Sequence, residues 1–78
     1  MPHIVVKMLQ GRTEEQKERL AAALRDTLMK EIGAGSAHVS VSIEDYTAEK
    51  WQEIFKEEIT DKPGTLRIAP QYDPKSLL

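Results

Sequence analysis

Hydrophobic residues follow three different spacings along the chain, and each spacing predicts one element. Residues 2–9 carry apolar and β-branched side chains on both faces of an extended segment, which is typical of a strand covered on both sides. Apolar residues then recur every four positions from Leu20 to Ile32, which predicts a long amphipathic helix. Apolar and polar residues alternate from His38 to Ile43, which predicts a second strand.

Residues suited to capping stand at both ends of the long helical pattern. Thr13 and Gln16 have the spacing of a capping box, in which each side chain bonds the other's backbone N–H. Gly33 follows the last apolar position, where a left-handed residue commonly ends a helix. A strand, a long helix and a second strand in this order form a βαβ unit, with parallel strands and a right-handed crossover.

The remainder of the chain predicts a shorter helix and a tail. Thr47 is placed to cap that helix, and Asp61-Lys-Pro-Gly64 ends it because proline does not continue a helix. We expect one domain over residues 1–78, in which about 62–78 is a C-terminal tail or hairpin arm. Residues 65–68 are expected as a short edge strand or hairpin arm. The apolar positions of the shorter helix are Trp51, Ile54, Phe55 and Ile59.

A chain of 78 residues is too short to bury a large core alone. It has no cysteine, so disulfides and thiolate metal sites are excluded, and two isolated histidines do not predict a metal site. We therefore expect an α+β fold that pairs in a homo-oligomer. Two βαβ units side by side would form a four-stranded sheet with two helices on one face.

The distribution of charged and apolar residues argues against nucleic-acid and membrane partners. Eleven basic and thirteen acidic residues are interspersed, which argues against a nucleic-acid partner. Apolar runs are too short to span a bilayer, and the N-terminus lacks the features of a secretory signal, so a cytoplasmic location without membrane partners is expected. No glycine-rich phosphate loop or metal set indicates a cofactor.

The second residue, Pro2, begins the first predicted strand. Aminopeptidases generally remove an initiator methionine before proline, which would leave a free secondary amine at a fixed strand end. An α-amino group has a reference pKa of about 7.7–8.0, and an apolar pocket near a positive charge lowers that pKa. Such an amine suits proton abstraction next to a carbonyl. A retained Met1 would make the nitrogen a non-basic amide, and Pro2 would then only start an edge strand.

Two further residues are candidates for a binding site. Arg12 follows the first strand, where its guanidinium either binds a carboxylate through two parallel hydrogen bonds or is an ordinary solvated arginine. Trp51 is the sole tryptophan, and it either walls a pocket or packs in a core or subunit interface.

The stretch Pro2-His-Ile-Val-Val-Lys-Met-Leu-Gln-Gly-Arg-Thr-Glu-Glu-Gln-Lys17 resembles the opening of the 4-oxalocrotonate tautomerase family. In that family an N-terminal proline precedes a short hydrophobic strand and a Gly-Arg-Ser/Thr-x-Glu-Gln-Lys segment. The similarity continues through Val39-Ser-Val-Ser-Ile-Glu44 to Trp51, which covers roughly the first 55 residues. The tail resembles the longer, phenylpyruvate-tautomerase-like branch.

The resemblance implies a cofactor-independent keto–enol tautomerase acting on a small 2-keto acid or its enol. It implies that Pro2 is the general base and then the general acid, that Arg12 binds the substrate carboxylate, and that Trp51 is the pocket aromatic. It also implies a homodimer or a trimer of dimers.

One position departs from the family pattern. Ser40 stands where the family has a second substrate-binding arginine, contributed across a subunit boundary. A hydroxyl does not offset a second carboxylate as a cation would, which favours a monocarboxylate substrate. Arg67 is an alternative cation or an exposed edge residue. A hydratase or dehalogenase using the same proline, and a non-catalytic oligomeric binding protein, remain alternative functions.

Overall fold

A computed structural model describes all residues, Met1–Leu78. The chain divides into two compact units, Met1–Asp45 and Tyr46–Leu78. The first contains strand β1 (His3–Leu9), helix α1 (Glu14–Ile32), a 3-10 turn (Ser36–His38) and most of strand β2 (Ser40–Tyr46). The expectation of a single domain stays a prediction. None of the helices is long and apolar enough to cross a membrane.

The two strands form a parallel pair, as the sequence predicts. Side-chain contacts across the pair show the register. His3 Nδ1 lies 2.6 Å from Ser40 Oγ, and Lys7 Nζ lies 2.6 Å from Glu44 Oε1. Both contacts join residues 37 positions apart, and a constant offset is what parallel pairing requires.

Helix α1 has both predicted caps. Thr13 Oγ1 accepts from the Gln16 N–H at 3.1 Å, and Gln16 Oε1 accepts from the Thr13 N–H at 2.9 Å, which completes the capping box. Gly33 ends the helix at φ 73° and donates its N–H to the Met29 carbonyl at 2.9 Å. The loop before α1 is fixed by Gly11, whose φ of 126° is a conformation that L side chains rarely adopt.

Helix α1 covers one face of the strand pair. The helix side of the pair carries Val6, Met8, Val41 and Ile43, which line the grooves beside α1. Lys17 of α1 also forms an ion pair with Asp45, at the far end of β2. On the opposite face Val5 is 43% exposed, and no residue of this unit is buried.

The second unit is built around helix α2 (Ala48–Phe55), which continues as a π-helical turn (Lys56–Thr60). Thr47 caps α2 by accepting from the Lys50 N–H at 3.1 Å, as predicted. A 3-10 turn (Pro74–Leu77) closes the tail. Ile54 is the one buried residue of the chain, at 7% exposure.

One strand boundary and one further element differ from the sequence-based prediction. The second strand begins at Ser40 rather than His38, because residues 36–38 complete a 3-10 turn first. The prediction of an edge strand or hairpin arm at residues 65–68 is wrong. The Thr65 N–H instead bonds the Lys62 carbonyl at 3.3 Å in a turn, and the sheet has two strands only.

The left-handed cap of α1 yields a stability prediction. Replacing Gly33 with Ala places a Cβ in a left-handed conformation, and the free energy of unfolding should fall by about 1–2 kcal/mol. Urea unfolding at fixed protein concentration measures this. Gly64→Ala is the matched control, because Gly64 has no positive φ and an added Cβ there meets no atom within 4 Å. Equal losses in both variants would contradict the role assigned to Gly33.

Candidate active site

Pro2 lies at the N-terminal end of the strand pair. Its carbonyl accepts a hydrogen bond from the Ser40 N–H at 3.2 Å, directly before β1 begins. The Pro2 ring is half-buried, whereas Met1 is 92% exposed. Pairing with β2 therefore fixes the position of Pro2, while most of the preceding residue is accessible to solvent.

Two histidines that the sequence analysis set aside lie at this same end. His38 Nδ1 lies 2.7 Å from Met1 Sδ, and His3 Nδ1 contacts the Ser40 hydroxyl. The positions of the two histidines in the sequence could have indicated that they lie at this end. His38 begins the second predicted strand and His3 is the second residue of the first, and parallel strands begin at the same edge of a sheet.

Arg12 is an exposed residue between Gly11 and the N-cap of α1. Its Nη1 lies 3.5 Å from the Leu9 carbonyl oxygen, which is at the limit of hydrogen-bond distance. Arg12 forms no ion pair, unlike Arg19 and Arg25, which pair with neighbouring carboxylates. Its guanidinium therefore keeps nearly all of its hydrogen-bonding capacity for an anion.

A groove of about 280 Å³ adjoins Arg12 between β1 and α1. A second cation lines it, but Lys17 is held by Asp45 and lies 3.5 Å from Glu14. The hydrogen bond to Asp45 raises the pKa of Lys17 above its ordinary 10.5. Arg12 is thus the cation of this groove that has no carboxylate. The other lining residues are Val6, Met8, Gln16 and Leu20.

One chain does not bring Pro2 and Arg12 together. Strand β1 separates them, and its seven residues span about 23 Å at the usual rise of about 3.3 Å per residue. The Arg12 guanidinium stays beside Leu9, at the far end of that strand. The distance exceeds the length of an arginine side chain, so a site that contains both residues needs two copies of the chain.

Trp51 lies on α2 in the second unit and is half-buried. Its Nε1 donates to the Tyr72 hydroxyl oxygen at 2.9 Å, and its ring lies 6.4 Å from that of Tyr46 at an interplanar angle of 46°. Tyr72 belongs to the tail and was not identified from the sequence. Arg67 of the same unit is exposed and forms no ion pair, and its role in a site stays a prediction.

Comparison with protein families gives a match to the tautomerase enzyme model over residues 2–53. A probable tautomerase of Xylella fastidiosa (strain 9a5c) is 37% identical over 73 residues, which cover 92% of this chain and 89% of that protein. Tautomerase PptA of Escherichia coli (strain SMS-3-5 / SECEC) is 32% identical over 73 residues, which cover 92% of this chain and 97% of that protein.

Solved structures show the same fold. TomN, a 4-oxalocrotonate tautomerase homologue in the tomaymycin biosynthetic pathway, aligns with a TM-score of 0.62 at 30% identity, covering 64% of this chain and 77% of TomN. The apo unfused 4-OT aligns with a TM-score of 0.60 at 39% identity, covering 63% of this chain and 80% of that one.

Proposed function

The chain belongs to the tautomerase family and is an isomerase of that type, and from this premise we propose that it interconverts the keto and enol forms of a small monocarboxylic 2-keto acid. The Pro2 nitrogen, freed by removal of Met1, takes the proton of the enol hydroxyl and returns it to the neighbouring carbon. The reverse direction takes the proton from that carbon. No cofactor is needed, because one proton moves and no electron leaves the substrate.

The observation that carries the proposal is the hydrogen bond between the Pro2 carbonyl and Ser40. This bond fixes the residue that bears the nitrogen, and a base acts efficiently only when its position relative to the reacting atom is fixed. The 92% exposure of Met1 leaves the Met1–Pro2 bond open to an aminopeptidase. Both features support an amine that is free and well positioned.

The surroundings of Arg12 support a monocarboxylate substrate. Its guanidinium has no protein carboxylate, and two parallel N–H bonds match the geometry of a substrate carboxylate. Val6, Met8 and Leu20 give the groove an apolar wall. Ser40 supplies a hydroxyl rather than a cation at the Pro2 end, so a second substrate carboxylate would be poorly balanced.

The length of β1 supports a site shared between subunits of a homo-oligomer. Pro2 and Arg12 lie at opposite ends of that strand, so we assign the Pro2 of one copy and the Arg12 of another to each site. The strand face away from α1 is open enough to pair with another copy, since Val5 is 43% exposed there. A homodimer and a trimer of dimers both fit this arrangement.

The role of Pro2 predicts a large loss of activity when its nitrogen is changed. We expect the mass of the intact protein to correspond to the chain without Met1. In Pro2→Ala, the kcat/KM for phenylenolpyruvate, followed by its ultraviolet decay, should fall by about 10²-fold or more, as for loss of a general base. In a separate variant, one alanine inserted between Met1 and Pro2 turns the Pro2 nitrogen into an amide. This variant should lose even the residual activity that Pro2→Ala retains.

Matched controls separate this effect from misfolding. Pro63→Ala changes an exposed proline of the second unit, and an alanine added after Leu78 lengthens the other terminus. Both should keep the parent rate. Equal rates for the parent and Pro2→Ala would remove Pro2 from the mechanism.

The shared site predicts complementation between two impaired variants. Pro2→Ala and Arg12→Ala homo-oligomers should both have low activity. Mixed oligomers, co-expressed with two different tags and purified through both, should recover activity. In a mixed dimer about half of the sites combine an intact Pro2 with an intact Arg12, so about half the parent kcat is expected per oligomer.

A site built within one chain gives the opposite result, because no site of the mixed dimer is then intact. The control for the purification is a mixed oligomer in which both chains carry Pro2→Ala and each chain carries a different tag. Activity that stays at the level of the two homo-oligomers would refute the sharing of the site.

A further inference from the structure

The Trp51 side chain has one hydrogen-bond donor, and that donor is already bonded to another residue of the same chain. The indole Nε1–H donates to the Tyr72 hydroxyl oxygen at 2.9 Å, and an indole has no other polar group. While this bond holds, Trp51 has no hydrogen bond to offer a substrate carboxylate. What it presents is the apolar face of the ring, which suits an aryl or bulky alkyl substituent.

Two contacts hold the tail that carries Tyr72 against helix α2, and a third orders the tail itself. The Tyr72 ring meets Phe55 edge-on, with centroids 5.6 Å apart at an angle of 73°. Gln52 Nε2 donates to the Pro74 carbonyl at 2.9 Å. The Asp73 carboxylate accepts from the Lys75 N–H at 3.0 Å and caps the 3-10 turn that follows. The hydroxyl that receives the indole N–H is therefore held by its own ring and by the residues that follow it.

We infer that Tyr72 is a positioning residue that fixes the orientation of Trp51, so that the indole face selects 2-keto acids with an aryl or large apolar substituent. The inference rests on the proposed function, since it takes Trp51 to be a pocket residue. Tyr72 itself is 42% exposed, so water competes for the bond and its effect on the reaction should be moderate.

Tyr72→Phe is the variant that tests this inference. It removes the hydroxyl and keeps the ring that packs on Phe55, so the fold should be retained. We expect the KM for phenylenolpyruvate to rise about three- to tenfold, with kcat within about twofold of the parent, as for loss of one hydrogen bond. The KM for the enol of a 2-keto acid with a methyl side chain should not change.

A second readout needs no activity. Trp51 is the only tryptophan, so the emission excited at the red edge of the absorption band, where tyrosine does not absorb, reports this side chain alone. In Tyr72→Phe the indole N–H turns to water, and we expect a red-shifted emission and stronger quenching by acrylamide. Tyr46→Phe is the matched control, because it removes a phenol hydroxyl from the other ring beside Trp51 and leaves the Trp51–Tyr72 bond intact. Its effect on the KM for phenylenolpyruvate should be smaller than that of Tyr72→Phe.

A double-mutant cycle identifies the partner through which Tyr72 acts. Phenylalanine at position 51 has no N–H, so adding Tyr72→Phe to Trp51→Phe should cause no further rise in KM. An equal rise in both backgrounds, or an unchanged KM and fluorescence in Tyr72→Phe, would overturn the inference. If the parent protein lacks tautomerase activity, the proposed function and the substrate selection fail, and the fluorescence comparison still decides whether Tyr72 fixes Trp51.

Discussion

The parallel pairing of β1 with β2 is the constraint on which the rest of the structure depends. Its constant offset places Pro2 beside Ser40 and so fixes the residue that bears the candidate base. The same strand carries Arg12 away from that end, because an extended backbone advances about 3.3 Å per residue. The pairing therefore positions the candidate base, and the length of β1 places the guanidinium far from it in the same chain.

In the homo-oligomer that we propose, partner subunits supply two things that this small chain lacks, a larger core and a complete site. Two strands and one covering helix leave every residue of the first unit at least partly accessible, and Ile54 of the second unit is the only buried residue. A chain of this size without disulfides or metals gains most from burying its open strand face on another copy. If Arg12 of that copy completes the site, as we propose, folding and activity depend on the same association.

The local features of the fold could be predicted because they depend on few residues. Thr13 with Gln16, Gly33 and Thr47 each specify a cap within one turn of chain, and all four are found in those roles. Residues 65–68 were misjudged because apolar character alone does not supply a partner strand. The Trp51–Tyr72 bond spans 21 residues, and no spacing rule indicates such a contact. The separation of Pro2 from Arg12, in contrast, follows from strand length and could have been derived from the sequence.

In the site that we propose, a substrate with one carboxylate makes one strong electrostatic contact, which fixes the acid group but not the reacting carbon. Rotation about the bond to the carboxylate would move that carbon relative to the base, and small displacements reduce proton transfer steeply. For a substrate with an aryl or large alkyl substituent, a second contact that limits this rotation can come from that substituent, which needs an apolar surface. Because the indole N–H of Trp51 is bonded to Tyr72, the aromatic residue can supply that apolar contact without competing for the carboxylate. In the site that we propose, the roles of Arg12 as carboxylate ligand and Trp51 as apolar contact thus follow from which hydrogen-bond donors are already engaged within the chain.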